Sequence, residues 1–427
     1  MQKFFILISF TFLLSSLNAQ VFQEISCGSG YNKQSYIKLS EGVQKQVNND
    51  TWDLAFTAYG FQDAGIFINE SSGSSMGQNL PQTELYDAKT TDFNASISID
   101  AIKDNKYLNS EESWNFGAFN ETRSVVNPFD FGWGKYNPAG QRVDGDKVFV
   151  LRLRNGEYKK IKIESLIGTT YTFRYANLDG SNEIVKTINK MADSKGQKII
   201  YFSFTSNETV DVLPAGGFDM MYGRYTSLAK DPNGTIEQQY NVTGILTGPG
   251  VQVAAAKGIN PVTVSLQEYS DKFSTRTDVI GHDWKSLVGT SWSIAADRAY
   301  FVKMADKRVW KIVFIDFEGS ATGNAVFEKT DLGISSNNDI TGTETGISPN
   351  PVNDELIISF DSKDATAKQL NIEIIDQSGK VILRDTTGSF NEFNVTTINT
   401  SNLNSGIYFV RLSNDQHEST TKKIIKI

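Results

Sequence analysis

The chain has one cysteine, two histidines and one long apolar run, and each scarcity removes a class of explanation. A single cysteine, Cys27, permits no intramolecular disulfide, so stability must come from buried cores. With only His282 and His417 beside it, no His/Cys cluster has zinc spacing, and no Asp-x-Asp-x-Asp-Gly loop suggests calcium; no residue is nominated for a metal. Charge comes in no blocks: 41 Lys+Arg against 49 Asp+Glu give a formal net charge of −8, and no basic face for nucleic acid is expected. Beyond Phe4–Leu17 no stretch approaches the ~20 apolar residues that span a bilayer, so the mature chain should carry no transmembrane segment.

That one run points to export. Lys3 precedes it and Leu17-Asn18-Ala19 supplies a small residue at its end, so residues 1–19 read as a signal peptide cleaved before Gln20. A lipoprotein would need cysteine directly after the cleavage point, and Cys27 lies too far downstream.

What remains is rich in strand patterning. With 39% hydrophobic and 11% aromatic residues, most of the chain should fold, and nearly every apolar segment alternates with period two. Lys147–Ile163 reads as a hairpin with a type I′ turn at Asn155-Gly156. Ile184–Ala192 has a short helical period, cut off by Gly196 and the strand-like Ile199–Phe204. The fold class expected is all-β.

Blocks of the sequence recur. Asp146–Gly156 lies without gaps over Asp297–Lys307, Trp52–Tyr59 over Phe218–Tyr225, and Tyr36-Ile-Lys-Leu over Tyr201-Phe-Ser-Phe, in one order and at spacings of roughly 150–166 residues. The spans between matched blocks, about Gly60–Gly145 and Thr226–Ala296, are rich in turn formers; a ligand site is expected on such loops. From Asp331 to Gly346 the composition turns to Ser, Asn, Asp, Thr and Gly, that of a polar linker.

Two resemblances follow. Ser348-Pro349-Asn350-Pro351, the Ser378-Gly379 turn, Leu403…Gly406-Ile407-Tyr408 and the closing Lys422-Lys423-Ile424-Ile425-Lys426-Ile427 resemble the type A C-terminal sorting domain of the type IX secretion system of Bacteroidota. That resemblance implies a small Ig-like β-sandwich read by the translocon and removed by the sortase. It implies a protein secreted or held at the outer-membrane surface by way of the periplasm. Leu370, Ile372 and Ile374 should form its core, with Lys422, Lys423 and Lys426 solvated. The recurring blocks, with Tyr201-Phe202-Ser203-Phe204, Trp52-Asp53-Leu54-Ala55-Phe56 and the Arg298–Phe317 hairpin, resemble the HmuY family of secreted haem-binding β proteins. The organisation expected is a signal peptide (1–19), a first HmuY-like antiparallel β domain (20–198), a second in tandem (199–332), a linker (333–346) and the sorting domain (347–427).

The HmuY resemblance implies haem held between two axial side chains, and here the chain departs from the pattern. Tyr136, in Tyr136-Asn137-Pro138-Ala139-Gly140, stands where a family histidine precedes a similar turn, and a tyrosinate can ligate haem iron. His282 is the other candidate, and Trp133 lies in the aromatic loop Phe129–Tyr136 that is the best candidate binding surface. Met220 and Met221 are adjacent, so strand alternation sends them to opposite faces. Trp114 and Trp284 fall at comparable places in the two repeats, which favours packing for both. Gly73-Ser74-Ser75-Met76-Gly77 has the spacing of a serine-hydrolase elbow, but no helix signal follows, and His282 alone could serve as base. The function expected is therefore a non-enzymatic binding protein for haem or another small hydrophobic ligand. The alternatives are a structural or adhesive surface module and a secreted hydrolase.

Overall fold

Strands carry nearly all the regular structure, as the alternation predicts, and among the described residues α-helix is confined to two single turns, Ile99–Ile102 and Lys190–Asp193. The computed structural model describes residues 21–60, 63–72, 82–230, 237–334, 343–362, 370–377, 379–387, 392–413 and 419–427. Residues 1–19, expected to be a signal peptide, the Gly73–Gly77 motif, His417 and most of the expected linker lie outside them. The chain divides into two compact units, Met1–Leu332 and Gly333–Ile427.

The first unit holds two β-sandwiches. In the first, a four-stranded sheet runs β15 (Glu208–Val210), β14 (Ile199–Ser203), β4 (Leu54–Thr57), β5 (Ile66–Ile68). It faces a larger sheet ordered β13 (Ile184–Asn189), β12 (Thr170–Asn177), β11 (Tyr158–Ile167), β10 (Phe149–Arg152), β6 (Glu84–Asp87), β7 (Lys106–Tyr107). The hairpin of β8 (Gly134–Asn137) and β9 (Arg142–Gly145) joins that sheet through β11. Between the sheets lie Leu54, Phe56, Phe149, Ile161, Phe173 and Phe202.

The second sandwich sets β17 (Glu237–Thr247), β16 (Met220–Lys230), β2 (Lys33–Lys38), β3 (Gly42–Asn48) against a sheet ordered β1 (Val21–Ser26), β23 (Asn324–Ile334), β22 (Arg308–Phe317), β21 (Arg298–Lys303), β18 (Gln252–Lys257). A separate hairpin joins β19 (Lys285–Val288) and β20 (Ser291–Ile294). Its core contains Ile37, Met220, Tyr222, Tyr300, Ile312 and Phe327.

Strand pairing thus crosses the 198/199 boundary expected from the sequence. β14 pairs with β4 in the first sandwich, and β2 pairs with β16 in the second. Periodicity specifies that a segment is a strand with one or two buried faces; it does not say which sheet edge the strand joins.

The two four-stranded sheets pack back to back. In β14, Ile200 and Phe202 face the first core while Ile199 and Tyr201 face the layer between sandwiches. Burial on both faces is why this strand reads as an unbroken apolar run rather than an alternating one. Met220 and Met221 divide the same way, into the second core and the shared layer. Parting the sandwiches would expose the rings of Tyr36, Trp52, Phe67, Tyr201, Phe218 and Tyr225. At ~1.5–3 kcal/mol for each large side chain, that cost keeps the pair together.

Two local expectations are corrected. The hairpin of β10 and β11 forms, but only Gly156 has positive φ (86°), so the turn is not type I′. The Leu153 and Glu157 backbones close a longer loop, with Gly156 in the left-handed position. In the hairpin of β21 and β22 Lys307 takes that conformation (φ 69°). Ile184–Asn189 is a strand, because pairing with β12 overrides its weak helical period, and only Lys190–Asp193 winds into a turn of helix.

The second unit has a three-stranded sheet, β24 (Thr343–Ser348), β25 (Glu355–Ser362), β28 (Glu392–Asn399), and a four-stranded one, β27 (Val381–Thr386), β26 (Asn371–Asp376), β29 (Gly406–Ser413), β30 (Ser419–Lys426). Leu370, Ile372 and Ile374 are fully buried with Leu356, Ile358, Val410 and Ile424. Asn350 ties the Pro-flanked entry segment to β30: its amide donates to Lys423 O (3.0 Å) and accepts from Ile425 N (2.9 Å). Lys422 and Lys423 are exposed as expected, but Lys426 is buried (6% exposed), because it shares the inward face of β30 with Ile424.

Candidate functional site

The three residues nominated from the sequence take separate places. Trp133 is completely buried (0% exposed) in the first core, its indole N–H donating to Ala64 O (2.9 Å), so its ring offers no face to solvent. Trp284 does the same in the second core, donating to Gly281 O (3.2 Å) immediately before β19, as Trp133 does immediately before β8. Trp114, by contrast, packs against the layer shared by the two sandwiches. Tyr136, on β8, is half-buried against the first core and stacks on Phe129 (centroids 5.6 Å apart). The following turn is held by the Asn137 side chain, which accepts from Ala139 N (3.1 Å). His282 lies on the second sandwich, where Nδ1 is 3.4 Å from the Tyr225 hydroxyl. Burial, with Lys285 nearby, holds its imidazole below the usual range, favouring the neutral ring. Tyr136 and His282 thus belong to different sandwiches. Among the described residues no group of three His, Cys, Asp or Glu is placed to hold a metal ion.

A cavity forms instead in the layer shared by the sandwiches. It holds about 60 Å³ of water-accessible space, walled by Tyr36, Trp52, Phe67, Trp114, Tyr201 and Tyr225. The rings brace one another: Trp52 meets Tyr201 edge-on at 4.8 Å, Tyr36 meets Phe218 at 5.0 Å, and Phe67 meets Trp114 at 5.9 Å. Gln34 fixes one wall, its amide oxygen accepting from Tyr36 Oη and Trp52 Nε1 (both 3.1 Å) and its nitrogen donating to Ser71 Oγ (2.9 Å). The Ser71 hydroxyl in turn donates to Arg224 O on the other sandwich.

The chemically distinctive member of this lining is Glu70, just beyond β5 and 4% exposed. One carboxylate oxygen accepts from Asn109 N (2.8 Å) and the other from Thr226 N (3.2 Å), which lashes the first sandwich to β16 of the second. Burial pushes its carboxyl up to about 7, against the opposing pull of those two N–H groups. Lys106, the cation whose charge it feels, is bound by Glu84 at 2.8 Å.

Sequence reasoning missed Glu70 and Gln34. The available signal was the apolar runs Leu54-Ala55-Phe56, Ile66-Phe67-Ile68 and Ile199–Phe202, too continuous for one-faced strands and hence evidence of a second packed layer. His282 touches this cavity through Tyr225, which lines it.

Comparison with known families places both ends of this architecture. Residues 346–427 match the secretion system C-terminal sorting domain, and residues 30–176 match the HmuY protein family. No curated protein matches the chain. Among solved structures, the crystal structure of dimeric latent PorU from Porphyromonas gingivalis aligns over 67% of this chain at 11% identity, with a TM-score of 0.18. The chain spans 32% of that protein's length, and a likeness so slight carries no argument. The sorting domain marks a protein exported by the type IX secretion system, secreted or attached at the outer-membrane surface. Among the described residues no helix is long and apolar enough to cross a membrane.

Proposed function

We propose that the exported protein is a non-enzymatic small-ligand binder whose body is two HmuY-like sandwiches in tandem. The observation that carries this reading is the pairing of an HmuY match over 30–176 with a sorting domain over 346–427 on one chain. The tandem part rests on matched bonds. Asp53 N donates to Phe202 O and Asp219 N to Ile37 O, both at 2.8 Å. The Asp53 carboxylate accepts from Phe204 N and the Asp219 carboxylate from Leu39 N, both at 2.7 Å. Tyr201–Phe204 lies over Tyr36–Leu39 in sequence, so each repeat's aspartate grips the other repeat's hairpin. The two repeats have exchanged their N-terminal strands.

Haem is the sharpest version of the ligand, implied by the family resemblance, with Tyr136, His282 and Trp133 as the candidate residues. Titrating haemin into the mature protein tests it. A Soret shift abolished by Tyr136→Phe or His282→Ala is the expected result; no shift, or one indifferent to both changes, removes haem from the reading. One observation favours a structural or adhesive role instead: Val125 (89% exposed), Val126 (88%) and Phe129 (52%) project from one loop. Loss of surface adhesion in a deletion strain whose haemin uptake is normal would favour that second role.

A further inference from the structure

We propose that the cavity between the sandwiches binds a small organic cation, a methylated ammonium group, held between the aromatic walls and the carboxylate of Glu70. Neither Tyr136 nor His282 lines the site, although His282 contacts Tyr225 of its wall, and the proposal is tested separately from haem.

Size comes first. A buried water needs ~10–15 Å³ of such space, so the cavity's 60 Å³ corresponds to about four to six waters. That suits a compact ammonium head and excludes a tetrapyrrole. Charge comes second. A buried carboxylate is costly unless it is paired, and Glu70 has two backbone N–H groups but shares its nearest-felt cation with Glu84. Around it stand six aromatic rings, whose faces carry negative potential, and Glu111 adds a second acid to the lining. Arg224 lines the cavity too, but its carbonyl takes the Ser71 hydroxyl and its guanidinium Nε reaches Asn241 Oδ1 (3.1 Å).

Hydrogen-bond capacity narrows the class. A primary ammonium brings three N–H donors that need acceptors. Here Gln34 Oε1 already receives two donors, and each Glu70 oxygen one. A methylated ammonium asks for no acceptors, only for a negative surface, and cages of aromatic rings meet that need. Burial penalises the charge of Glu70 and pushes its carboxyl up to about 7, so near neutral pH part of it holds a proton. A bound cation would reverse that penalty and release the proton.

Isothermal titration of the mature chain with choline and with its uncharged isostere 3,3-dimethylbutan-1-ol separates charge from shape. Choline should bind one per chain at least tenfold tighter than the alcohol. Glu70→Gln should erase that preference, and choline binding at pH 7 should release a fraction of a proton, read from buffers of different ionisation enthalpy. Should Glu70→Gln fail to fold, Trp114→Leu should weaken choline at least tenfold on its own. Equal binding of the two probes, no binding at millimolar choline, or choline affinity unchanged in the variants would overturn the assignment. A failed haemin titration bears on none of these outcomes.

Discussion

Replacing Glu70 by Gln should change how stability depends on pH more than it changes stability at any one pH. In the folded chain the carboxyl is raised from 4.5 to about 7. Between those values the folded state holds the proton more tightly than the unfolded state. The contribution of Glu70 to stability is therefore fully present below about pH 4.5, falls as pH rises towards 7, and is lost above. At 1.36 kcal/mol per pKa unit the loss is about 3 kcal/mol. Glutamine cannot titrate, so this slope should vanish. A separate, pH-independent cost of about 1–3 kcal/mol is expected, because the amide nitrogen confronts the N–H of Asn109 or Thr226 in place of an acceptor. Asp219, raised to about 6 by burial, adds its own slope to both proteins and cancels in their difference. The assay is urea unfolding of each at pH 5, 6, 7 and 8, followed by tryptophan fluorescence. Curves that stay parallel across this range would refute the assignment of a buried, uncompensated charge to Glu70.

The proposed exchange of hairpins, and the aspartate clamps beside it, make further predictions. Asp53→Ala should destabilise by about 2–4 kcal/mol in chemical denaturation, since it strands the N–H of Phe204 and removes the partner of Arg154 (3.7 Å); a change below 0.5 kcal/mol would show that the clamp is idle. Residues 20–198 expressed alone should fold, with β2 and β3 taking the places of β14 and β15 beside β4. If that fragment is unfolded by circular dichroism while residues 50–211 fold, the two hairpins are not interchangeable and the tandem reading fails.

How far the sequence was legible differs by element. Leu370, Ile372 and Ile374 show their buried face directly, because a two-sheet sandwich with one core leaves simple alternation on the strand. Lys426 misled, since a residue type that favours solvent sat on an inward position at a strand end, where its Nζ donates to the Ile427 carbonyl. Trp133 was correctly seen as part of an aromatic loop, yet nothing in Phe129–Tyr136 reveals that its ring turns inward onto Ala64 while Phe129 stays out. Glu70 was invisible because one glutamate after a short apolar strand looks like any loop acid until a second sheet is laid over it.

The amino-acid order alone determined that this is a β protein and that its last eighty or so residues form a sorting module, because those properties are written in local periodicity and short motifs. Only the tertiary structure decided which sheet each hairpin completes, and with it the cavity that Gln34, Glu70 and Trp52 enclose with Tyr225. Strand pairing is a contest among distant edges of similar chemistry, and its outcome depends on shape and burial across the whole unit rather than on any stretch of chain.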